Sequence, residues 1–534
     1  MLKVVENVRC GEKIGQKILC TVGVAGTLGE LESLERVGKA KIIELLNERE
    51  PALPGMEEAA HGPTINQAER ENHIVDLGDI REEKRINVGV EEVFGELYSQ
   101  MDFEDLIGGT RKDEQWNTLL KQTIFARLFD PSSKKRAADE VLSNLNQEAP
   151  LEKIYRMMDH LAPLEEQIKN KVFQSSMSLL DFEVDVLFFD VTTLYFESFD
   201  ADELRRFGFS KDCKFKETQI VLALVTNNRG VPLTYELFPG SESEGKTLVE
   251  IVKKIKAHYI VKNVVMIADR AMFSEENLSL LEHEKINYIV AAKLKAMKRS
   301  LHQEILDDHF CPFNGWVKDL ALEKERRLIV SYSMDRAKND YKQRKRLVER
   351  LLKKSKDGKI PLKALINNHG TKKYVEVCQD KAVINETKIL SDSRWDGIHG
   401  VITNYKKEEK TPIEILERYK GLWKIEEVFR INKHDLKMRP IYHWKPERIR
   451  AHILICFLAY TMLNTAKEIL ERNAIKLSVA ELRKEVSKRQ ASIIRDKRSQ
   501  RRYFVPASFT ETQKKIYHAF KIPITELVQP LFHA

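Results

Sequence analysis

The sequence predicts an α/β protein: an α/β core that a strand-containing insertion interrupts, preceded by a mainly helical N-terminal region and followed by C-terminal helices. Three observations support this fold class: the size and composition of the chain, a change to strand-like patterning near residue 183, and a return to helical spacing from residue 412. The chain has 534 residues, of which 42% are hydrophobic and 32% are charged. At roughly 150 residues per domain, this length suits three or four domains, or two with a large insertion.

Composition excludes several classes of protein. The 23 glycines and 16 prolines are too few for a fibrous or disordered chain. Six cysteines without a CxxC pair favour a reducing compartment. The first residues, MLKVVENVRC, lack the apolar run of a signal peptide, and the longest apolar stretch, residues 453–463, falls short of the roughly 20 residues of a membrane span. We therefore expect a soluble, cytoplasmic protein with no membrane association.

Charge is distributed unevenly along the chain, although its net value is only +8. Residues 1–180 contain 23 Lys and Arg against 32 Asp and Glu, whereas residues 181–534 contain 66 against 49. A basic C-terminal two thirds indicates a polyanionic partner. A solvated surface of mixed sign is the alternative explanation.

The first 180 residues divide into two predicted regions. Residues 1–87 begin with two short strands about a Gly11–Glu12 turn, continue with helical spacing at 28–48, and end in a Pro- and Gly-containing linker at 50–75. Residues 88–180 are mainly helical in pattern and form an accessory region. Its helices are expected at 116–129, 134–145 and 151–161, with the DPSS sequence capping the second.

Strand-like sequence begins near residue 183. VDVLFFDVTTLYF is apolar and short, as is typical of a buried strand, and QIVLALVT and VPLTYELF flank an Asn- and Gly-containing turn, as in a hairpin. A helix, a strand, a second helix and a second strand follow up to residue 294. Three strands in a meander and then alternating helices and strands form a mixed sheet, in the order of an RNase H-like core. We assign this core to residues 181–295 and 406–440.

The remainder of the chain adds two regions to the core. Residues 296–405 form an insertion that contains strand-like segments and one very basic helix at 335–356. Residues 441–534 form a basic, helical C-terminal region, with 18 Lys and Arg against 8 acidic residues.

Two aspartates end apolar strands of the predicted core. Asp190 follows VLFF, and Asp269 follows VVMIA and precedes Arg270. A carboxylate at the end of a buried strand is costly unless a metal ion or hydrogen bonds compensate it, and two adjacent carboxylates favour a cation between them. The alternative is that each aspartate caps the following turn.

A third candidate carboxylate lies in YKGLWKIEEVFRINK. On one helix, spacings of three and four residues put Tyr419, Leu422, Glu426, Arg430 and Lys433 on one face. That face could hold a metal ion and phosphates together. A surface helix with Glu–Lys pairing is the alternative, and periodicity does not choose between Glu426 and its neighbour Glu427.

These residues resemble a known family, the bacterial insertion-sequence transposases of the DDE, RNase H-like superfamily. The chain most resembles the branch of this family that has the motif Tyr-x2-Arg-x3-Glu-x6-Lys. Tyr419, Glu426 and Lys433 match this motif, and Leu422 stands in the place of its arginine. The motif selects Glu426. The resemblance extends from the opening hairpin to about residue 470, through FFDVTTLYFES, GFSKDCK, MIADRAMFS, RWDGIHGVITN and RPIYHWKPERIRAHILICFLA.

The resemblance implies a DNA transposase that cleaves transposon ends and joins them to target DNA by two-metal phosphoryl transfer. It implies Asp190, Asp269 and Glu426 as catalytic residues and as ligands of two Mg²⁺ ions, for which Mn²⁺ can substitute. The predicted DNA contacts are Tyr419, Lys433, Arg430 and Arg270.

The implied partners are double-stranded DNA, as terminal inverted repeats and as target, and a second copy of the chain in a synaptic homodimer. The helical region 88–180 is the place where the ends would be recognised, and a bacterial cytoplasmic, nucleoid-associated location follows. Basic sequence at 335–356 and 488–504 adds sequence-independent affinity for DNA. The alternatives are a metal-dependent nuclease that cuts without joining, an inactive or domesticated DNA-binding derivative, and an RNA-processing enzyme.

Overall fold

The structure is a computed structural model of the chain, and it divides into two units, Met1–Asp79 and Ile80–Ala534. It describes residues 2–10, 13–23, 34, 38, 76–180, 186–196, 200–208, 217–242, 244–258, 265–268, 274–307, 310–355, 359–361, 371–378 and 381–531.

The first unit contains the predicted hairpin. Strands β1 (Leu2–Cys10) and β2 (Lys13–Gly23) pair antiparallel, with Cys10 opposite Lys13. The hairpin prediction is therefore confirmed. Of the helical pattern predicted at 28–48, only two single residues are described, and the linker at 50–75 lies outside the described residues.

The second unit opens with strand β3 (Ile80–Asn87) and a helical region. The three predicted helices are present, and the Ser133 hydroxyl accepts a hydrogen bond from the Arg136 amide at 3.2 Å, as the predicted cap requires. A capping box of Thr110 and Asp113 begins the long helix α2. The α-helices are α1 (Gly95–Gln100), α2 (Arg111–Phe129), α3 (Lys134–Arg136), α4 (Leu142–Asn144), α5 (Leu151–Leu161) and α6 (Glu165–Leu180), with π-helical turns at Val90–Phe94 and Ala137–Val141 and a 3-10 turn at Ala162–Leu164.

A mixed eight-stranded sheet forms the centre of this unit. Its strands, in order across the sheet, are β6 (Pro232–Pro239), β5 (Gln219–Asn227), β4 (Val186–Tyr195), β7 (Val265–Ala268), β8 (Asn287–Ala291), β14 (Ile398–Thr403), β10 (Arg327–Tyr332) and β9 (Val317–Ala321). Strand β4 pairs antiparallel with β5 and parallel with β7, which is itself parallel to β8. The predicted α/β class is confirmed. The strands predicted in the core are β4 (Val186–Tyr195), β5 (Gln219–Asn227), β6 (Pro232–Pro239), β7 (Val265–Ala268) and β8 (Asn287–Ala291).

Both faces of β4 are buried, because its apolar residues alternate between two cores. Phe188 and Leu194 lie in the helical core, the cluster that also contains the buried residues of the N-terminal helices. Leu187 and Phe189 lie in the opposite core, which α7 (Glu244–His258) and α8 (Glu275–His283) complete.

Part of the predicted insertion continues the central sheet. Strand β14 (Ile398–Thr403) pairs antiparallel with β8, and β10 (Arg327–Tyr332) and β9 (Val317–Ala321) follow. The rest forms a small sheet of β11 (Lys359–Pro361), β12 (Val375–Cys378) and β13 (Lys381–Ile384). Its helices are α9 (Arg299–Ile305), the predicted basic helix α10 (Met334–Leu352) and α11 (Glu386–Ser393), with 3-10 turns at Leu294–Ala296 and Thr371–Tyr374.

The chain returns to helices at α12 (Pro412–Lys420) and α13 (Trp423–Arg430), then forms a π-helical turn at Ile431–Asp435. Helix α14 (Pro446–Arg472) is long and apolar enough to cross a membrane by length and composition alone, but 89% of its most apolar window is buried inside the fold. It is the central helix of the helical core, with buried residues along its whole length.

The C-terminal region is not purely helical, contrary to the prediction. After α15 (Val479–Lys488), strands β15 (Gln490–Asp496) and β16 (Arg502–Pro506) form a hairpin, and α16 (Glu511–Ala519) and β17 (Gln529–Leu531) follow. Strand β15 also pairs with β3, so this sheet joins both ends of the unit. The Asp496 carboxylate accepts hydrogen bonds from the amides of Arg498 and Ser499 at 2.9 and 3.3 Å, and these bonds turn the basic tail into a hairpin.

Candidate active site on strand β4

Asp190 occupies the middle of β4, opposite Leu224 of β5. Strand alternation puts its side chain on the same face as Phe188 and Thr192, which is the face toward the helical core. The carboxylate is half-buried, and its Oδ1 accepts a hydrogen bond from the Val191 amide at 2.7 Å. An ionisable side chain therefore stands on a strand whose neighbouring residues are almost all apolar.

Helices α12 and α13 approach this face of β4 at Gly421. A Cβ atom on Gly421 would lie 2.5 Å from Cζ of Phe188, so only glycine permits the approach. The glycine is also the point at which α12 ends. The segment YKGLWKIEEVFRINK, predicted as one helix, is thus two α-helices and a π-helical turn, and Tyr419 lies on a different helix from Glu426.

The far end of the second helix touches the same face two residues beyond Asp190. The Lys433 ammonium donates a hydrogen bond to the Thr192 hydroxyl. Lys433 belongs to the π-helical turn, a distortion that often occurs at functional sites. Gly421 and Lys433 therefore contact β4 on either side of Asp190, and α13 runs between these two contacts.

The two glutamates of α13 lie on different flanks of the helix. Glu426 is exposed and is seven residues from Lys433, a spacing that keeps both near one helix face. Glu427 lines a cavity beside α14 with Tyr460 and Glu468, and it forms an ion pair with Arg430 at 3.6 Å.

The other predicted contact residues on this segment lie apart from Lys433. The Tyr419 ring stacks at a tilt on His399 of β14, with 5.2 Å between ring centroids. Burial and the nearby Arg336 hold the pKa of His399 at about 4, so this imidazole is neutral at pH 7. Exposed Arg430 also contacts Asp435 at 3.6 Å, so its charge is balanced on the Glu427 flank.

Leu422, which replaces the motif arginine, packs against the helical core. Lys424, a cation close to Leu422 in the sequence, donates a hydrogen bond to the backbone oxygen of Asn228 in the β5–β6 turn. Lys424 therefore supports the hairpin.

The second predicted aspartate, Asp269, lies outside the described residues, as does Arg270. The strand that precedes them is described: Ala268 of β7 pairs with Phe189 of β4. Within the described part of the chain, no group of three His, Cys, Asp or Glu side chains could hold a metal ion.

Sequence reasoning missed three residues that contact β4 or the predicted site residues, or lie on β4 themselves. Thr192 carries no catalytic signature, His399 lies in a strand, and the Arg439 guanidinium stacks over the Tyr195 ring at 5.0 Å near the end of β4. The only sequence signal for them is that each falls in one of the family-like stretches noted above.

The fold and the site together define an α/β protein whose mixed sheet presents the Asp190 carboxylate to a covering helical segment that supplies Lys433. A family model described as "Transposase DDE domain" matches residues 182–462. Because the match spans more than half of the chain, the chain belongs to the DDE transposase family. It is therefore a DNA-cleaving and strand-transferring enzyme of DNA transposition, in a family that generally uses divalent metal ions. The resemblance drawn from the sequence is confirmed.

Among solved structures, the chain is similar to a piggyBac transposase in a synaptic complex with hairpin DNA, determined by cryo-electron microscopy. The two share 8% sequence identity, with a TM-score of 0.40, over 74% of this chain and 76% of that chain. No curated protein matches this chain.

Proposed function

We propose that the chain is an insertion-sequence transposase that cuts at terminal inverted repeats and joins the ends to target DNA in one site on an RNase H-like core. The order β6-β5-β4-β7-β8 supports this core, because the first three strands form a meander and the next two are parallel to β4. The observation that carries the proposal is the position of Asp190 between the two contacts that the Glu426-bearing segment makes with β4.

The proposed catalytic residues are Asp190, Asp269 and Glu426. Asp269 is proposed because it follows Ala268 in the sequence, and Ala268 pairs with Phe189, the residue that precedes Asp190. Glu426 is preferred to Glu427, because Glu427 lines the cavity beside α14.

These three carboxylates fit a divalent cation. All their donor atoms are hard oxygens, which Mg²⁺ and Mn²⁺ prefer, and a cation would offset the cost of the half-buried Asp190 carboxylate. When bound, two such ions supply an activated nucleophile and stabilise the leaving oxygen. Asp190, Asp269 and Glu426 would hold them.

The DNA phosphates near the site would contact cations and a hydroxyl of this chain. Lys433 is held toward β4 by Thr192, so its charge is fixed beside the reacting phosphate. Tyr419, oriented by His399, offers a hydroxyl from α12. Arg430 and Arg270 are proposed as outer contacts.

Neighbouring glutamates provide a matched test of the site. Glu426→Gln is expected to abolish Mg²⁺-dependent cleavage of a duplex carrying the transposon end while leaving its binding intact, as are Asp190→Asn and Asp269→Asn. Glu427→Gln removes the same charge one residue away and is expected to retain cleavage. Cleavage by the Glu426→Gln enzyme, or its loss only in Glu427→Gln, would remove Glu426 from the site.

A joining assay separates transposase from nuclease. Pre-cleaved ends with a free 3′-OH are incubated with plasmid target, and joined product is expected from the wild-type chain but not from Asp190→Asn. Cutting without joining would identify a nuclease, and binding without either reaction would identify an inactive derivative. Cleavage of RNA–DNA hybrids in preference to duplex DNA would identify an RNA-processing enzyme.

The proposed assembly is a homodimer that holds two ends together. Its proposed location is the bacterial cytoplasm, at the nucleoid when DNA is bound.

A further inference from the structure

A cavity of about 470 Å³ lies between the N-terminal helical region and the segment that connects α13 to α14. Five of the residues that line it are cations and none is acidic. Lys135, Arg136 and Lys437 are exposed at its rim, whereas Arg127 and Lys134 are buried.

Lys134 is buried without a carboxylate partner among the described residues: it is 4% exposed, and its Nζ lies 3.4 Å from Nδ1 of His452. Nε2 of His452 lies 2.9 Å from the carbonyl oxygen of Met438, to which it donates, so Nδ1 is the acceptor for the lysine. Burial, with Lys134 and Arg127 nearby, holds the pKa of His452 well below its usual value, and burial also lowers that of His443 to about 3. Both imidazoles are therefore neutral, and neither balances the lysine charge.

The second buried cation is bonded to neutral groups as well. The Arg127 guanidinium donates to the backbone oxygens of Leu436 and Lys437 at 3.1 and 3.2 Å. By contrast, Arg136 at the rim pairs with Asp130 at 2.8 Å and Glu140 at 3.1 Å. The floor of the cavity thus holds two basic side chains that no anion balances among the described residues, and a buried cation without an anion is costly. Burial accordingly lowers the pKa of Lys134 to about 7, and an anion in the cavity would favour its ammonium form.

We propose that this cavity binds one phosphate group of the DNA backbone, with Lys134 as the principal charged contact. Lys134 retains ammonium protons beyond the one it shares with His452, and the hydroxyls of Ser132 and Ser133 line the same space. A phosphodiester carries one negative charge, which would compensate the charge of the buried basic side chains. The proposal rests on the transposase function and assigns it a second anchoring point for DNA.

The cavity is connected to the candidate active site through the chain itself. The segment that contributes Lys437, Pro440 and His443 follows directly on the turn that holds Lys433. Within that segment, Arg439 stacks over Tyr195, five residues beyond Asp190. DNA that contacts the Asp190 face therefore has a path of cations from Lys433 to the cavity.

The test measures how salt weakens DNA binding. For duplex DNA, each phosphate contact contributes about 0.9 to the slope of log affinity against log salt concentration. Lys134→Met keeps the length and apolar stem of the side chain and is expected to reduce that slope by about 0.9, whereas Lys134→Arg retains it. Lys253→Met is the matched control, because Lys253 is an exposed lysine on α7, which packs in the opposite core.

The outcomes separate the possible anions. Wild-type chain and Lys134→Met are also titrated calorimetrically with inorganic phosphate. An unchanged salt slope in a folded Lys134→Met variant overturns the proposal, and phosphate binding that Lys134→Met abolishes would then assign the cavity to a free phosphate. A wild-type chain that binds no DNA contradicts the transposase function instead, so the two failures are distinguishable.

Discussion

Gly421 tests whether the approach of α12 and α13 to β4 sets the geometry of the active site. Its backbone is helical, with φ −68° and ψ −12°, so alanine fits the backbone and would by itself stabilise the chain by about 0.4–1 kcal/mol. The new Cβ would however lie 2.5 Å from Phe188, about 0.9 Å closer than the 3.4 Å of ordinary contact. Overpacking of this kind costs about 1–3 kcal/mol, which exceeds the backbone gain. Gly421→Ala should therefore lower the free energy of unfolding of the chain.

Catalysis should suffer more than stability. If the segment with Glu426 moves away from β4 by about 0.9 Å, the cleavage rate should fall by about tenfold to a hundredfold, since a misplacement of about 1 Å can cost a hundredfold. Single-turnover cleavage of a bound transposon end measures this rate, and thermal unfolding measures the stability.

Gly95→Ala is the control for the backbone effect. Gly95 is also helical, with φ −66° and ψ −46°, and its Cβ would meet only the flexible Glu91 side chain at 3.4 Å. This variant should be as stable as the wild type or more so, with unchanged cleavage. Phe188→Leu should restore part of the loss in Gly421→Ala, because the two residues are in direct contact. Equal stability and wild-type cleavage in both alanine variants would refute the steric argument.

Three further predictions follow from other contacts. Asp319→Ala leaves Arg327, which is 5% exposed, without its carboxylate partner. The free energy of unfolding measured in urea should fall by about 3 kcal/mol or more, and adding Arg327→Met should restore most of it. Burial holds the pKa of Lys134 at about 7 instead of 10.5, so between pH 7 and about 10 the unfolded chain binds a proton that the folded chain does not. The stability advantage of Lys134→Met over wild type should therefore shrink as pH rises through this window, and a constant difference in melting temperature contradicts it. Lys433→Met should slow cleavage by about tenfold to a hundredfold, as for loss of a charge-assisted hydrogen bond, whereas exposed Arg430→Met should change it by about fivefold or less.

The sequence predicted those elements whose residues repeat with a clear period. Strand β4 was predictable because VLFF and the residues after it are apolar on both faces, which is typical of a central strand. The β5–β6 hairpin followed from its Asn- and Gly-containing turn, and the cap at Ser133 from its position before a helical pattern. Each of these signals is local, so one segment sufficed to find it.

Features that depend on contacts between distant segments could not be predicted in the same way. The close approach at Gly421 requires a glycine because Phe188 occupies the space that a side chain would need, and the two residues are far apart in sequence. Strand β15 pairs with β3 across some 400 residues, so the basic tail was assigned to a helical region in the absence of that partner. The position of Asp190 relative to the Glu426-bearing segment likewise required the fold.

The packing of the described helical region limits where its few cations can act. Several of its cations point inward: Lys169 is 1% exposed and donates to Glu236 of β6 at 3.0 Å, and Arg127 and Lys134 lie at the cavity floor. Their charges therefore act on the core and the cavity, while many of the acidic residues stay at the surface. Since charges act over a Debye length of about 8 Å at physiological salt, we expect the acidic outer surface to repel DNA and the proposed cavity, with Lys134 and its rim cations, to attract it. The low net charge of this region thus favours one defined point of contact for DNA over a broad basic surface.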